Sequence, residues 1–424
     1  MTRLATGDDD HAFLAPLVDT AAREARMHLE EEAGSSLGAL LGGSLARGEG
    51  TVWRDGARVR ALSDIDLAMV FAEPAQAVRA RAIAPATARG LARRLRARGL
   101  LGPVDLGVYA LADLPRQGPR PGTLEMRRSG RVLWGPLDLA TGFPELAEQD
   151  VPRDEAVVLL ENRGIELLHA WPGDAPADDV DRQLVGLYAG LKAVVDGAFA
   201  LVVATGRVPA TQQARQAALE ILAVEGRSET LDAVLPDFMA EAAFWGRMKL
   251  APDPAAIALH LGAPDARDPV ALARRAWRAG ARAHLAAYRA LGAHAAHRAR
   301  LRRRLRRWWE EGRRFAAFER DGRAAWSLRP WPARARLAVA GAPEHQLAAC
   351  GASLLAAWAE PGAGGTDWRS TMERCFPGAL PSRLEWDPCR TAVVRLWDTM
   401  QMGGVRTAWD DDRPETAGET LEDP

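Results

Sequence analysis

The stretch "GGSLARGEGTVWRDGARVRALSDIDLAMVF", Gly42 to Phe71, decides how the first part of the chain folds. Its glycine pair and serine close the short apolar run LGALLG (37–42), which reads as a strand. Twenty residues after Ser44, Asp64 and Asp66 stand at the head of DLAMVF (66–71), a buried strand by composition. Side chains alternate along a strand, so the two carboxylates point to one face, and Ile65 and Leu67 to the other. Carboxylates this close repel unless a cation neutralises them, and hard oxygen donors suit Mg2+ or Mn2+.

A phosphate-binding turn belongs beside such a pair, and Gly42-Gly43-Ser44 fits one. Glycine lets the backbone approach an anion, and the Ser44 hydroxyl and the following amides can donate to phosphate oxygens. Arg47 adds a fixed positive charge three residues on. A third carboxylate is expected on a neighbouring strand, and Asp105 in PVDLGVYAL (103–111) is its one acid. Val104, Leu106 and Val108 share the core face, while Asp105, Gly107 and Tyr109 share the other. There Asp105 can ligate metal and take the proton from an attacking hydroxyl.

The pattern apolar-G-G-S, then S-D-I-D-L, then a strand with a third Asp resembles the DNA polymerase β-like nucleotidyltransferase superfamily, in the style of bacterial aminoglycoside and minimal nucleotidyltransferases. The resemblance covers about residues 15–140. It implies an α+β chain: a small mixed sheet with flanking helices, then a mostly helical region. It also implies a two-metal site with Mg2+ (or Mn2+) held by Asp64, Asp66 and Asp105, the last also the general base. Gly43 and Ser44 would bind the triphosphate of a nucleoside triphosphate, ATP first. The chain departs from the family pattern between Ser44 and Asp64, where the gap is long. Asp55-Gly56 between TVWR and ARVR is a hairpin signal, and this hairpin (51–60) accounts for the extra length.

A chain of 424 residues is too long for one typical core, so several domains are expected. The divisions read are 1–150 for the nucleotidyltransferase region, 151–265 for a helical domain closing the nucleotide cleft, 266–410 for a helical, tryptophan-rich region, and 411–424 for an acidic, disordered tail. Within the first, helices are expected at 15–32 and at 75–98, the latter broken or kinked at Pro85. The formal net charge of −1 argues neither for nor against a polyanionic partner. Cys350, Cys375 and Cys389 lie far apart without metal-ligand spacing, which favours reduced, cytosolic thiols. With no basic-plus-apolar leader and no uninterrupted apolar run near ~20 residues, a cytoplasmic chain without a membrane span is expected.

Among 55 basic residues only Lys192 and Lys249 are lysine. Lys192 stands in the apolar helix LVGLYAGLKAVVDGAFALVVATG (184–206), where it can reach the β/γ-phosphates or snorkel to solvent. Tyr188, one turn earlier, reads as packing rather than a base-stacking ring, and Glu49 as a turn residue rather than a catalyst. HRARLRRRLRRWWEEGRRF (297–315) has seven arginines between Arg298 and Arg307. That is a solvated basic face or, in the sharper reading, a nucleic-acid patch. His294 and His297 share a helix face without a carboxylate partner and read as packing or surface. The expected function is transfer of a nucleoside monophosphate, AMP from ATP first, to a hydroxyl of a small-molecule or protein acceptor. The alternatives are an RNA nucleotide-adding enzyme, a nucleotide second-messenger synthase, and a catalytically silent nucleotide-binding protein.

Overall fold

The computed structural model describes residues 3–291, except 57, 175, 177, 226–228 and 264–267, together with 343–359, 368–370 and 385–400. The expectations for Cys375, for His294 and His297, for the basic stretch 297–315 and for the tail 411–424 lie outside the described residues.

The chain opens with α1 (Asp8–Ala33), whose first turn carries Asp8, Asp9 and Asp10 where the helix dipole favours negative charge. There follow β1 (Gly38–Leu41), the single turn α2 (Gly43–Ala46), the hairpin β2 (Val52–Asp55) and β3 (Arg58–Ala61), and β4 (Ile65–Phe71). Then come α3 (Pro74–Arg96), β5 (Val104–Ala110), α4 (Pro121–Ser129) and β6 (Arg131–Trp134). Four strands form a mixed sheet in the order β5-β4-β1-β6. β4 runs parallel to β5, and β1 runs antiparallel to β4 and to β6. A parallel pair needs a crossover, and α3 supplies it.

Both sheet faces are covered. Leu41, Ile65 and Leu67 pack with Leu14, Leu17 and Ala21 of α1 and with Leu91 and Leu95 of α3. Leu40, Ala68 and Val70 pack with Leu114, Leu139 and Phe143. The break expected at Pro85 is not there, since α3 is one helix from Pro74 to Arg96. Proline removes one intrahelical bond, but Ala77, Ala80, Ala84, Ala88 and Leu91 bury a continuous stripe on both sides of it.

The second half is helical: α5 (Glu155–His169), α6 (Val180–Val203), α7 (Gln212–Glu225), α8 (Glu229–Leu250), α9 (Pro254–His260) and α10 (Pro269–Ala290). Two further helices are α11 (Pro343–Ala359) and α12 (Trp386–Met400). α6 is long and apolar enough to cross a membrane by length and composition, but 83% of its apolar window is buried inside the protein. It packs against α10 at a glycine crossing: a Cβ on Gly190 would lie 2.3 Å from the Ala276 carbonyl, and one on Gly280 2.3 Å from the Gly190 carbonyl. The core runs across residue 265, because Leu184 and Leu191 share one cluster with Leu272 and Ala276. Trp171, Trp277, Trp358 and Trp386 meet where α5, α10, α11 and α12 converge, with ring centroids 4.1 to 5.2 Å apart.

Candidate active site

The site begins where β1 ends. Gly42 N–H donates to the Asp66 carbonyl (2.8 Å), which ties the turn to the head of β4. Gly43 has φ +62°, and a Cβ there would sit 1.8 Å from Asp66 Oδ2. Glycine is required at this position both by the left-handed backbone and by the carboxylate. Ser44 Oγ donates to Ser63 Oγ (3.3 Å), which in turn accepts from Thr51 N–H (2.8 Å).

In the parallel pair Asp66 stands opposite Asp105. Asp105 Oδ1 is buried and has no hydrogen-bond partner. Burial, then the neighbouring Asp64, raises Asp66 to about 6. Burial, then Asp66 and Asp64, pushes Asp105 well above the usual carboxylate range. The structure therefore brings Asp64, Asp66 and Asp105 into one electrostatic neighbourhood, as the strand reading expects.

Lys192 reaches this neighbourhood from α6, and its ammonium donates to Asp64 Oδ2 at 2.6 Å. Burial and Arg163 oppose the charge on Lys192, but Asp64 and Glu166 prevail and hold its pKa above the ordinary value. Behind Lys192, Arg163 of α5 pairs with Asp196 of α6 and with Glu166. Tyr188 is buried, with its hydroxyl 3.3 Å from Thr51 Oγ1 and 3.5 Å from Ser63 Oγ; it packs the interface.

The hairpin braces α6 against the sheet. Trp53 and Leu62 share a core cluster with Leu184, Leu187 and Leu191 of α6, and Arg60 pairs with Asp181 at 2.8 Å. The insertion between Ser44 and Asp64 thus supports the helix that delivers Lys192.

Arg47, read from the sequence as a phosphate contact, is buried in a charge network between the two halves. Its Nε donates to Glu49 (2.9 Å) and its Nη1 to Glu125 of α4 (2.8 Å). Glu125 also accepts from Arg215 of α7, and Glu49 accepts from Gln212 N–H at 2.6 Å. Glu49 is accordingly an anchor between halves rather than a simple turn residue. Lys249 of α8 is buried beside this network, and its Nζ has no hydrogen-bond partner. Burial, with Arg47 and Arg215 adding to it against Glu49, lowers Lys249 to about 8. Sequence reading missed Glu125, Arg163, Asp196, Arg215 and Lys249. Only Lys249 carried a signal, as the second of two lysines in the whole chain.

Among the described residues no group of three or more His, Cys, Asp or Glu is gathered to hold a metal ion by itself. Asp64 turns to Lys192 instead of converging with the other two carboxylates. Mg2+, however, is commonly held by one or two carboxylates together with substrate phosphates and water. Two same-face aspartates, a third with a bare buried oxygen and a glycine turn against one of them fit that donor set. Comparison with known protein families, curated proteins and solved structures finds no match to this chain.

Proposed function

We propose that the chain is a nucleotidyltransferase that moves a nucleoside monophosphate, AMP from ATP first, to a hydroxyl acceptor and releases pyrophosphate. One observation carries the reading. The turn at Gly43 closes on Asp66, whose strand neighbour is Asp105, and Lys192 crosses from the helical half to Asp64. Asp66 and Asp105 side by side on paired strands, with the Asp64 charge near them, are costly to bury, and such cost concentrates at functional sites. The polymerase β-like domain, the mixed sheet being its counterpart here, belongs to this same reading.

Each group has a task in it. The turn receives phosphate oxygens on the amides of Gly43 and Ser44 and on the Ser44 hydroxyl. Asp105, with its raised proton affinity, accepts the proton as the acceptor oxygen bonds to the α-phosphorus and the bond to pyrophosphate breaks. Lys192 supplies positive charge as the leaving group gains negative charge. Asp64, Asp66 and Asp105 would hold Mg2+, or Mn2+, which neutralises phosphate charge when bound. Arg47 holds the two halves together through Glu49 and Glu125. A small-molecule acceptor is preferred over a protein one, with the chain acting in the cytoplasm.

The Asp64–Lys192 pair supports a second reading, a nucleotide-binding protein without catalysis, because it satisfies one carboxylate without a metal. One experiment separates the two. The protein is incubated with each α-labelled nucleoside triphosphate, Mg2+ and fractionated cell extract. Label transfer with pyrophosphate release, lost in Asp64→Ala, is the expected result. Metal-dependent nucleotide binding without any release would leave the silent reading standing.

A further inference from the structure

The stretch that begins with α10 lacks carboxylates. No Asp or Glu occurs between Asp268 and Glu310, in a chain that carries 56 acids against 55 bases overall. The same interval holds twelve arginines. Arginine-rich coding explains guanidinium groups everywhere, but it does not explain a stretch from which acids are missing.

Within the described part of this interval the arginines share one face. Ala276 and Gly280 turn to α6, whereas Arg274, Arg275, Arg278 and Arg282 are exposed on the outer side of α10. Arg275 is fixed by the carbonyls of Leu261 and Gly262 (3.0 and 2.9 Å), and Arg282 by the carbonyl of Ala359 (3.1 Å). Carbonyls orient these guanidinium groups without cancelling their charge. Two adjoining cavities of about 450 Å³ each open on this row, and Arg275 and Arg278 line both. One is walled by Trp171 and Trp358, two half-buried indoles set edge to face at 4.1 Å, with Arg278 4.7 Å from the Trp358 ring centroid. Among the described residues the one carboxylate in either wall is Glu241, already bonded by Trp245 and His260.

We infer that this outer face of α10 binds single-stranded nucleic acid, with phosphates along the arginine row and bases against the two indoles. The row from Arg274 to Arg282 is roughly 12 Å long by helical rise, enough for a few phosphates of an extended strand. Aromatic faces beside a basic track accept any base by stacking. An acidic peptide would match the charge, but the indole walls favour bases. The face is turned away from α6 and Lys192, so it is a separate site and does not rest on the nucleotidyl-transfer reading.

The test uses the full chain and a fluorescein-labelled oligouridylate of about 15 nucleotides, with binding followed by anisotropy across a salt series. Expected are binding that weakens as salt rises, and a loss of roughly tenfold or more in the double variant Arg274→Glu/Arg278→Glu. Trp358→Leu is expected to weaken binding several-fold with the salt slope unchanged. Melting curves check that the variants fold. Should the charge reversal unfold the chain, Arg274→Gln/Arg278→Gln removes the charge more gently and is read the same way. Three results would overturn the inference: no binding at about 50 mM salt; wild-type affinity in the α10 variants with loss on changing Arg302–Arg304 to alanine; or competition by polyglutamate as effective as by unlabelled oligouridylate, which would indicate an acidic protein partner.

Discussion

Gly43 and Asp66 are the tightest pair at the site, and each makes a distinct prediction. A methyl group on residue 43 would meet Asp66 Oδ2 at 1.8 Å and force a positive φ on a residue that resists it. Gly43→Ala should therefore lower stability by about 1–3 kcal/mol in urea unfolding, and should abolish label transfer as well. Asp66 behaves in the opposite sense. Its folded pKa of about 6 exceeds the ordinary 3.8, so the fold favours the protonated form. The stabilising contribution is complete below pH about 4 and is lost as pH rises through about 6. Asp105 shifts in the same direction. Without added metal, Asp66→Asn should gain on the order of 1–3 kcal/mol over the wild type at pH 8 and nothing at pH 4, while losing activity. Equal stabilities at pH 8 would show that the carboxylate is not under the stress ascribed to it.

Among the elements, the β2–β3 hairpin changed most in meaning between sequence and structure. Asp55-Gly56 announced its turn, and Gly56 indeed takes φ +56°. That it leans on α6 was not legible, because a docking partner more than a hundred residues away leaves no local pattern. Trp53→Ala should cost about 3–5 kcal/mol, as for other buried tryptophans, and should raise the KM for nucleotide more than it lowers kcat. A change in stability alone, with KM intact, would separate the hairpin from the placement of Lys192. The strands bearing Asp64, Asp66 and Asp105 were readable because period-two alternation fixes the face of each residue. The Arg47–Glu49–Glu125–Arg215 network was not readable. Its members sit on a turn and two ordinary helices, and only folding brings them together. Pro85 illustrates a local signal overruled by packing, since the alanine stripe of α3 outweighs one missing hydrogen bond.

At the scale of the whole molecule, sheet and helical bundle meet through α6, and the α6–α10 crossing sets where that helix lies. Gly190 and Gly280 allow backbone-to-backbone contact. Gly280→Ala has no room for its methyl group, so α6 and α10 must separate. The expected cost is about 1–3 kcal/mol in denaturant unfolding, with weaker nucleotide binding because Lys192 lies two residues from the crossing. Unchanged binding at reduced stability would mean that the helix relaxes without moving its lysine. The scarcity of lysine has a further practical consequence. Lys249 is buried and Lys192 is ion-paired with Asp64, so the folded surface displays no freely exposed side-chain amine. Amine-directed acylation, read by peptide mass, then becomes a gauge of the contact between the two halves. Any ligand that draws Asp64 away from Lys192, or any opening of the two halves that uncovers Lys249, registers as a new lysine adduct with no other lysine to obscure it.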